Sequence, residues 1–443
     1  MRNAAVVLLI ALTAGCEPVL EPVDHPPSKI DGVSTGGCGD GTRDGDEACD
    51  GDDLGGATCG SLIRGANGTL RCSSFCSFDT SGCTPHVACG PTGGLAEGAP
   101  WPTIGRCPSH PARGEARVAP MPSAAWTHGG SFLGSPAIAA DGTSFVGAEL
   151  EGEHVLAAIA KDGSVAWSAE TRPIQTTPAL LRGGTIVVGE ERSPSAKGSL
   201  LAFDARGERR WAIGRDGDGD WSSAVPGDDG TIYVGCPGPA LCAIDPSGEV
   251  LWARKLGRLA WWSAPAIAAD GTIVIAASEG IFALAPDGSS LWSRFDLPAL
   301  DAPPPLLAPD GSTFVAIPRL GLVALRKDGT TRFELDDPRV VAVHASLAIG
   351  DDGTIVLGGD DGVLRAIAPD GTTLWSVDVQ GLGPTVLAGD GTVLANDGNV
   401  RAYAPGGALL WKFAAEMGGT STPAIGADGG LVLAGSSLFA LGP

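Results

Sequence analysis

The fold of this chain is decided by the stretch Ser263-Ala-Pro-Ala-Ile-Ala-Ala-Asp-Gly-Thr-Ile-Val-Ile-Ala-Ala-Ser-Glu-Gly-Ile-Phe-Ala-Leu-Ala-Pro-Asp-Gly-Ser-Ser-Leu-Trp292. Four short apolar runs alternate with turn residues, and Asp-Gly stands at two of the turns. Asp-Gly between apolar runs favours a β-hairpin, because glycine adopts positive φ without steric cost and aspartate tolerates the left-handed region. No run has a sustained helical period. The stretch therefore predicts four antiparallel strands.

The same pattern recurs and ends each time on a large aromatic residue. These closing aromatics are Trp126, Trp167, Trp211, Trp252, Trp292, Phe333, Trp375 and Trp411. Their separations range from 36 to 44 residues. Four-stranded units repeated with a period near 40 are typical of the blades of a β-propeller. The sequence therefore predicts an all-β fold, an eight-bladed β-propeller of four-stranded blades over residues 116–443.

The two ends of the repeat region are predicted to share one blade. The segment ending at Trp126 has no unit in front of it, whereas the last unit, residues 423–441, stops after three strands. If the first segment supplies the missing strand, the ring is closed and no sheet edge is left free to aggregate. We therefore expect residues 124–126 to pair with residues 438–441.

The ends of the repeats carry a family resemblance. Ala243-Ile-Asp-Pro-Ser-Gly-Glu-Val-Leu-Trp252 and Ala202-Phe-Asp-Ala-Arg-Gly-Glu-Arg-Arg-Trp211 resemble the Ala-Leu-Asp-x-x-x-Gly-x-x-x-Trp tail of quinoprotein-type (PQQ-like) propeller repeats. The resemblance covers residues 116–443 and is repeated along them. It implies that the eight closing aromatics dock one blade on the next as large apolar side chains, and that they are not a ladder for stacking a ligand.

The resemblance also raises the hypothesis of a quinoprotein-like oxidoreductase. Catalytic members of that family carry Ca²⁺ ligands and a catalytic Asp on long insertions, many carry an adjacent pair of cysteines, and those fused to a haem domain carry Cys-x-x-Cys-His. This chain has no adjacent cysteines, no Cys-x-x-Cys-His and only minimal blades. We therefore expect no catalytic residues, no bound PQQ and, apart from Ca²⁺, no cofactor.

The first residues have the features of an export signal. Arg2 is followed by an apolar run from residue 4 to residue 12, which is too short to span a bilayer. The sequence Leu12-Thr-Ala-Gly-Cys16 then resembles a bacterial lipobox. Residues 1–15 are predicted to be a lipoprotein signal peptide, with Cys16 lipidated as the only membrane anchor and residues 16–37 as a flexible tether. Glu17 points, by analogy, to the outer membrane, at its periplasmic face or at the cell surface.

The other cysteines are even in number. They are Cys38, Cys49, Cys59, Cys72, Cys76, Cys83, Cys89, Cys107, Cys236 and Cys242. Ten cysteines in an exported chain predict disulfides. Six lie within residues 38–83, a stretch with few large apolar side chains that needs covalent cross-links. Zinc is disfavoured there, because no His and no paired Cys-x-x-Cys occur among these cysteines.

Residues 38–83 carry a second resemblance. Cys38-Gly-Asp-Gly41, Gly45-Asp-Glu-Ala-Cys49-Asp-Gly51 and Gly68-Thr-Leu-Arg-Cys72 resemble the cysteine-rich repeat common in myxobacterial surface proteins. The resemblance implies a disulfide-rich spacer or interaction module. Cys89 and Cys107 lie within residues 84–115, which are predicted to be a Gly/Pro-rich linker, and most simply pair with each other. Cys236 and Cys242 are predicted to bridge two strands of one blade.

Charge limits the classes of partner. The formal net charge is −22, which argues against nucleic acids and anionic lipid headgroups as partners. Two acidic clusters leave two interpretations open, a solvated loop or a Ca²⁺ site. The first is Asp216, Asp218 and Asp220, and the second is Asp40, Asp44, Asp46, Glu47, Asp50, Asp52 and Asp53.

Three tryptophans stand outside the closing motif. Trp221, Trp261 and Trp262 come just before the first strands of two consecutive blades, so they are predicted to lie on one face, either as core packing or as a ligand patch. We interpret the whole as an envelope lipoprotein whose propeller is a non-catalytic platform that binds protein or carbohydrate. The alternatives are a scaffold for outer-membrane assembly, resembling the propeller lipoprotein of the barrel-assembly machine, and the quinoprotein-like oxidoreductase.

Overall fold

The computed structural model describes residues 43, 48–59, 67–72, 76, 78–79, 83–84, 89–192, 197–216, 219–259, 263–318, 320–336, 347–359, 361–379, 384–396, 398–414 and 421–442. Apart from Cys59, which is helical, the regular elements in these residues are β-strands. The described residues fall into two compact units, residues 43–56 with 71–79, and residues 57–70 with 83–442.

The smaller unit is held by short contacts and a disulfide. Strand β2 (Arg71–Cys72) pairs with β3 (Phe78–Asp79), and Cys49 is bonded to Cys72. In the larger unit, strand β1 (Asn67–Gly68) pairs with β4 (Cys83–Thr84). Cys59 and Cys76 each take part in a further disulfide. These bonds agree with a cysteine-rich module that depends on cross-links.

The larger unit contains eight sheets of four strands, whose strands follow the order of the chain except that β5 completes the last sheet. The first four are β7 (Ala137–Ile138), β8 (Ser144–Leu150), β9 (Glu153–Ile159) and β10 (Val165–Glu170); β11 (Ala179–Leu181), β12 (Thr185–Gly189), β13 (Ser199–Phe203) and β14 (Arg209–Gly214); β15 (Val225–Pro226), β16 (Ile232–Cys236), β17 (Ala240–Ile244) and β18 (Val250–Lys255); and β19 (Ala266–Ile267), β20 (Ile273–Ala277), β21 (Gly280–Leu284) and β22 (Ser290–Arg294). A short strand, β6 (Ser131–Phe132), adds to the first sheet by pairing with β8.

The other four sheets follow the same plan. They are β23 (Leu306–Leu307), β24 (Thr313–Ile317), β25 (Gly321–Leu325) and β26 (Thr331–Asp336); β27 (Leu347–Ile349), β28 (Ile355–Gly358), β29 (Val363–Ile367) and β30 (Thr373–Asp378); β31 (Thr385–Leu387), β32 (Val393–Asn396), β33 (Val400–Tyr403) and β34 (Leu409–Phe413); and β35 (Ala424–Ile425), β36 (Leu431–Ala434) and β37 (Ser437–Gly442), with β5 (Ser123–Gly129) as the fourth strand.

The last sheet closes the ring, as the sequence predicts. Strand β5 pairs antiparallel with β37, and Trp126 stands opposite Ala440. The first strands of neighbouring blades contact each other at five of the eight junctions, including the junction between the eighth and first blades. The eight-bladed propeller is therefore confirmed, with the first strand of every blade innermost.

Burial follows position in the blade. The second and third strands are buried on both faces, because a neighbouring blade covers each face, and they consist of continuous apolar residues such as Ile273–Ala277. The outer strands alternate between exposed and half-buried residues. An apolar core therefore runs through the whole ring, and the outer strands form its rim.

Candidate functional site

Residues 89–118, which we call the axial segment, lie against the innermost strands of the propeller. The sequence predicts a linker over residues 84–115, but thirteen of the fourteen residues from 101 to 114 are buried. Trp101 is among the largest fully buried side chains. The segment is therefore part of the propeller core and not a linker, and Gly105 and Gly114 allow close approach of neighbouring residues there.

The axial segment accepts hydrogen bonds from the innermost strands of six blades. At one equivalent position, the backbone N–H of each innermost strand donates to a carbonyl of the segment at 2.7–3.0 Å: Ile138 to Trp101, Leu180 to Pro102, Ile267 to Pro108, Leu307 to Ser109, Ile349 to Pro111 and Leu387 to Ala112. An innermost strand is a sheet edge, and its buried N–H groups need partners. The segment supplies them in the order in which the blades follow one another.

The two remaining blades meet the axial segment differently. The third blade has Pro226 at the equivalent position, which carries no N–H, and there the Thr103 hydroxyl donates to the Ala224 carbonyl at 3.2 Å. In the eighth blade, a Cβ built on Gly114 would stand 3.0 Å from the Ile425 side chain. Residues 101–114 therefore make one circuit of the axis and touch every blade.

Two arginines of the axial segment are buried, and each pairs with a carboxylate. Arg106 pairs with Glu115, and Arg113 pairs with Asp351 and donates to the Gly389 carbonyl at 3.1 Å. Burial lowers the pKa of Arg113 to about 10, assisted by the nearby charge of Arg106. The guanidinium of Arg113 therefore remains charged at neutral pH, and its ion pair joins the segment to the sixth blade.

One histidine of the segment is held neutral. Burial lowers the pKa of His110 to about 4, and its ring Nδ1 lies 3.1 Å from the Pro305 carbonyl oxygen. A neutral imidazole with its proton on Nδ1 donates to that carbonyl. His110 has a positive φ of 55°, and Arg106 and Ala112 have 77° and 47°. These left-handed residues bend the segment around the axis.

The beginning of the axial segment is fixed by a disulfide and by backbone contacts. Cys89 is bonded to Cys107, the Gly93 N–H donates to the Asp228 carboxylate at 2.5 Å, and the Ala96 N–H donates to the Leu180 carbonyl at 2.9 Å. A second disulfide joins Cys236 to Cys242, across the neighbouring strands β16 and β17. Both pairs are the ones expected from the sequence.

The closing aromatics lie where one blade meets the next. Each stands opposite a buried alanine of the third strand, as Trp292 opposite Ala283, and a shift in register follows next to this pair in every blade. The indole N–H donates at 2.7–3.1 Å to a turn carbonyl of the next blade: Trp126 to Lys161, Trp167 to Ala205, Trp211 to Pro246, Trp252 to Pro286, Trp292 to Lys327 and Trp375 to Pro405.

Glycines of the next blade lie under the aromatic rings. A Cβ built on any of them would come within 2.6–2.9 Å of the ring: Gly163, Gly207, Gly248, Gly288, Gly329, Gly371 and Gly407. Phe333 occupies the same place against Gly371 without an N–H to donate. The Gly and Trp of the tail motif are thus the two halves of one contact between neighbouring blades.

Three shallow cavities open between neighbouring blades beside these contacts. Their volumes are about 170, 350 and 420 Å³, and each is lined by a closing tryptophan, Trp292, Trp126 or Trp375, and by Asp-Gly turns of two blades. In the first two, a lysine crosses the junction at 2.8 Å, Lys327 to Asp270 and Lys161 to Asp428. Asp270 and Asp428 are therefore already paired with cations of the protein.

The first acidic cluster is only partly within the described residues. Asp216 pairs with Lys197, and Asp220 accepts the Arg192 N–H at 3.1 Å. Asp218 lies outside the described residues. Among those that are described, no three His, Cys, Asp or Glu side chains are grouped to hold a metal ion. Calcium binding by this loop stays a prediction.

The second acidic cluster lies in the cysteine-rich module. Asp50 and Asp53 exchange two backbone hydrogen bonds at 2.7 and 2.9 Å. The Asp53 carboxylate accepts the N–H groups of Gly55 and Arg43, which lower its pKa. Asp40, Asp44, Asp46 and Glu47 lie outside the described residues.

Trp221 is predicted from the sequence to be either a core residue or part of a ligand patch, and the structure places it in the core. It is 1% exposed and donates through its indole N–H to the Gly198 carbonyl at 3.1 Å, so its ring offers no surface to a ligand. Trp261 and Trp262 lie outside the described residues, as do Cys16 and Cys38. Within the described ranges, no helix is long and apolar enough to cross a membrane.

The fold and its repeated blade contacts define a PQQ-type repeat propeller with a filled axis. The family described as "Outer membrane protein assembly factor BamB" matches residues 117–220, 196–356 and 360–441. These matches cover more than half of the chain, and the chain belongs to this family.

Solved structures share the propeller at low sequence identity. BamB from Moraxella catarrhalis is 19% identical, with a TM-score of 0.56, over 73% of this chain and all of that one. The C-terminal WD40 domain of Sif2 is 15% identical, with a TM-score of 0.57, over 74% and 99%. A quinohemoprotein alcohol dehydrogenase from Comamonas testosteroni is 15% identical, with a TM-score of 0.45, over 77% and 80%.

A short stretch is similar to a different kind of protein. The acetylcholinesterase collagenic tail peptide of Torpedo marmorata is 49% identical over 47 residues. The match covers 10% of this chain and 10% of that protein.

Proposed function

We propose that this protein is a non-catalytic scaffold of the bacterial cell envelope, and that its partners are proteins engaged in outer-membrane protein assembly. The BamB family match over the propeller supports the class of partner. The observation that carries the proposal is the filled axis: thirteen buried residues between 101 and 114 occupy the space that the innermost strands enclose. Partners then bind the outer surfaces of the ring, which suit proteins better than small substrates.

The proposed location is the periplasmic face of the outer membrane or the cell surface. It rests on the family and on the lipobox-like residues that end at Cys16. Replacing Cys16 with Ser should block lipidation and release the protein from the membrane fraction. If Cys16→Ser fractionates with membranes as the parent does, lipid anchoring at this residue is excluded.

The proposed role is tested by removing the gene from the native bacterium and quantifying outer-membrane β-barrel proteins by mass spectrometry. We expect their amounts to fall at least twofold, and re-expression of the parent chain to restore them. The matched variant carries Leu251→Arg and Leu291→Arg, which place charge on two exposed rim residues of the outer strands. Unchanged amounts of β-barrel proteins after gene removal would overturn the proposed role. Full rescue by the double variant would show that partners do not bind this part of the rim.

A further inference from the structure

The innermost strands form a ring of backbone donors. The six N–H groups that reach the axial segment occupy the same position in their blades, although the residues are Ile or Leu in different surroundings. Main-chain N–H groups at a sheet edge bind the main chain of a peptide and do not read its side chains. The ring is therefore suited to an extended peptide that offers a carbonyl to each blade in turn.

The segment at the axis matches this ring in chemistry. Three of its six accepting carbonyls belong to prolines, Pro102, Pro108 and Pro111. Proline has a carbonyl but no N–H, so a proline-rich strand can satisfy the ring without burying donors of its own. Positive φ at Arg106, His110 and Ala112 turns the strand from one blade to the next.

Close backbone contacts show that the blades are shaped to the segment. A Cβ built on Gly389 would stand 1.9 Å from the Glu115 carbonyl oxygen, and one built on Gly429 would stand 2.0 Å from that of Arg117. In the first and fourth blades, the residue equivalent to Gly389 is an alanine, Ala140 or Ala269. The seventh blade therefore has a glycine, Gly389, at the position where the backbone of the axial segment approaches it.

We propose that the innermost strands are a peptide-binding ring whose permanent ligand is the protein's own residues 101–112, and that this ligand clamps the blades together. The Cys89–Cys107 disulfide and the Arg113–Asp351 ion pair keep it in place. The clamp adds a second closure to the pairing of β5 with β37. A peptide from another protein reaches the ring only if the protein's own segment leaves.

The proposal is tested by cutting the chain after it has folded. Residues 119–122 follow the segment, and Pro120 and Met121 are exposed, so a protease recognition sequence is inserted between them in the full-length protein. We expect the two fragments to co-elute as one particle from a sizing column after cleavage and to separate only in denaturant. Separation in native buffer would overturn the proposal.

The role of the disulfide is measured on the same cut protein. The cut protein carries Cys236→Ala and Cys242→Ala, so that it lacks the blade disulfide. Dithiothreitol then reduces Cys89–Cys107 without changing a blade. We expect the fragments to dissociate at least tenfold faster after reduction, because residue 89 is then no longer tied to the buried residue 107 and the chain before residue 101 can detach from the blades. An unchanged dissociation rate would show that the disulfide does not hold the ligand. If the reduced fragments also remain together in denaturant, their association does not depend on the folded ring, which contradicts the clamp.

Discussion

At the scale of single residues, small side chains decide where the large ones pack. Each closing aromatic has a buried alanine opposite it, and seven of the eight, all but Trp411, have a glycine of the next blade beneath the ring. A β-carbon at the glycine would overlap the ring, and a longer side chain at the alanine would fill the place of the indole. The spacing from Ala to Gly to Trp in the tail motif is thus a packing requirement that repeats around the ring.

Gly389 gives the most local test of the axial segment. Alanine at this position would place a Cβ against the Glu115 carbonyl, so backbone must move, and we expect Gly389→Ala to destabilise the fold by about 1–3 kcal/mol. Gly406 in the same blade has open space around it, and Gly406→Ala is the matched control. Urea unfolding measures both. Equal midpoints for the two variants would show that the segment does not approach Gly389.

His110 predicts a dependence of stability on pH. Its pKa is about 4 in the folded protein and 6.5 in an ordinary environment. As the pH falls from 6.5 to about 4, the unfolded chain binds a proton that the folded chain does not, so stability decreases, by up to about 3 kcal/mol from this residue. His110→Asn keeps a donor for the Pro305 carbonyl but cannot titrate.

The measurement is the free energy of unfolding of parent and variant at pH 7.5 and pH 5. We expect the parent to lose more stability than His110→Asn over this interval. His128→Asn, at a half-buried residue of β5, serves as the control and should behave as the parent does. Identical pH profiles for parent and His110→Asn would contradict the burial of an uncharged His110.

At the scale of elements, ring closure depends on a strand far away in sequence. Strand β5 supplies the outer strand of the eighth blade, and Trp126 docks on Gly163 of the first blade. Trp126→Ala removes this contact, which we expect to cost about 3 kcal/mol. Met121→Ala, a change at an exposed side chain just before β5, should cost little. Thermal unfolding distinguishes the two, and equal melting temperatures would show that closure does not depend on Trp126.

The regular elements could be predicted from the sequence because they repeat. Asp-Gly turns, Pro-Ala-Ile runs and closing tryptophans carry the period, so blade number and the pairing of β5 with β37 followed from counting. The axial segment could not be recognised in that way. Its partners are single residues of eight distant blades, and prolines that accept hydrogen bonds have the same composition as a linker. Only Trp101 and the cysteines at 89 and 107 are signals of burial in this segment. Trp221 was ambiguous for a related reason, since an indole before a strand fits a core or a surface equally.

At the scale of the whole molecule, the axial segment fills the interior of the ring and the outer strands form an exposed rim. Because the axis is filled, we expect it not to bind a cofactor, and this can be tested. We expect the purified protein, incubated with PQQ and Ca²⁺, to show no new absorbance band after desalting and no alcohol-dependent dye reduction. Retained PQQ with dye reduction would favour the oxidoreductase hypothesis instead.

Amide hydrogen exchange of the intact native protein tests the filled axis most directly. A closed ring of eight blades encloses its own chain in this protein. We therefore expect slow exchange, equal to that of the buried second strands, for the amides that donate to the axial segment: Ile138, Leu180, Ile267, Leu307, Ile349 and Leu387. Exchange of these six amides at the rate of an open sheet edge, with the second strands still protected, would contradict the filled axis.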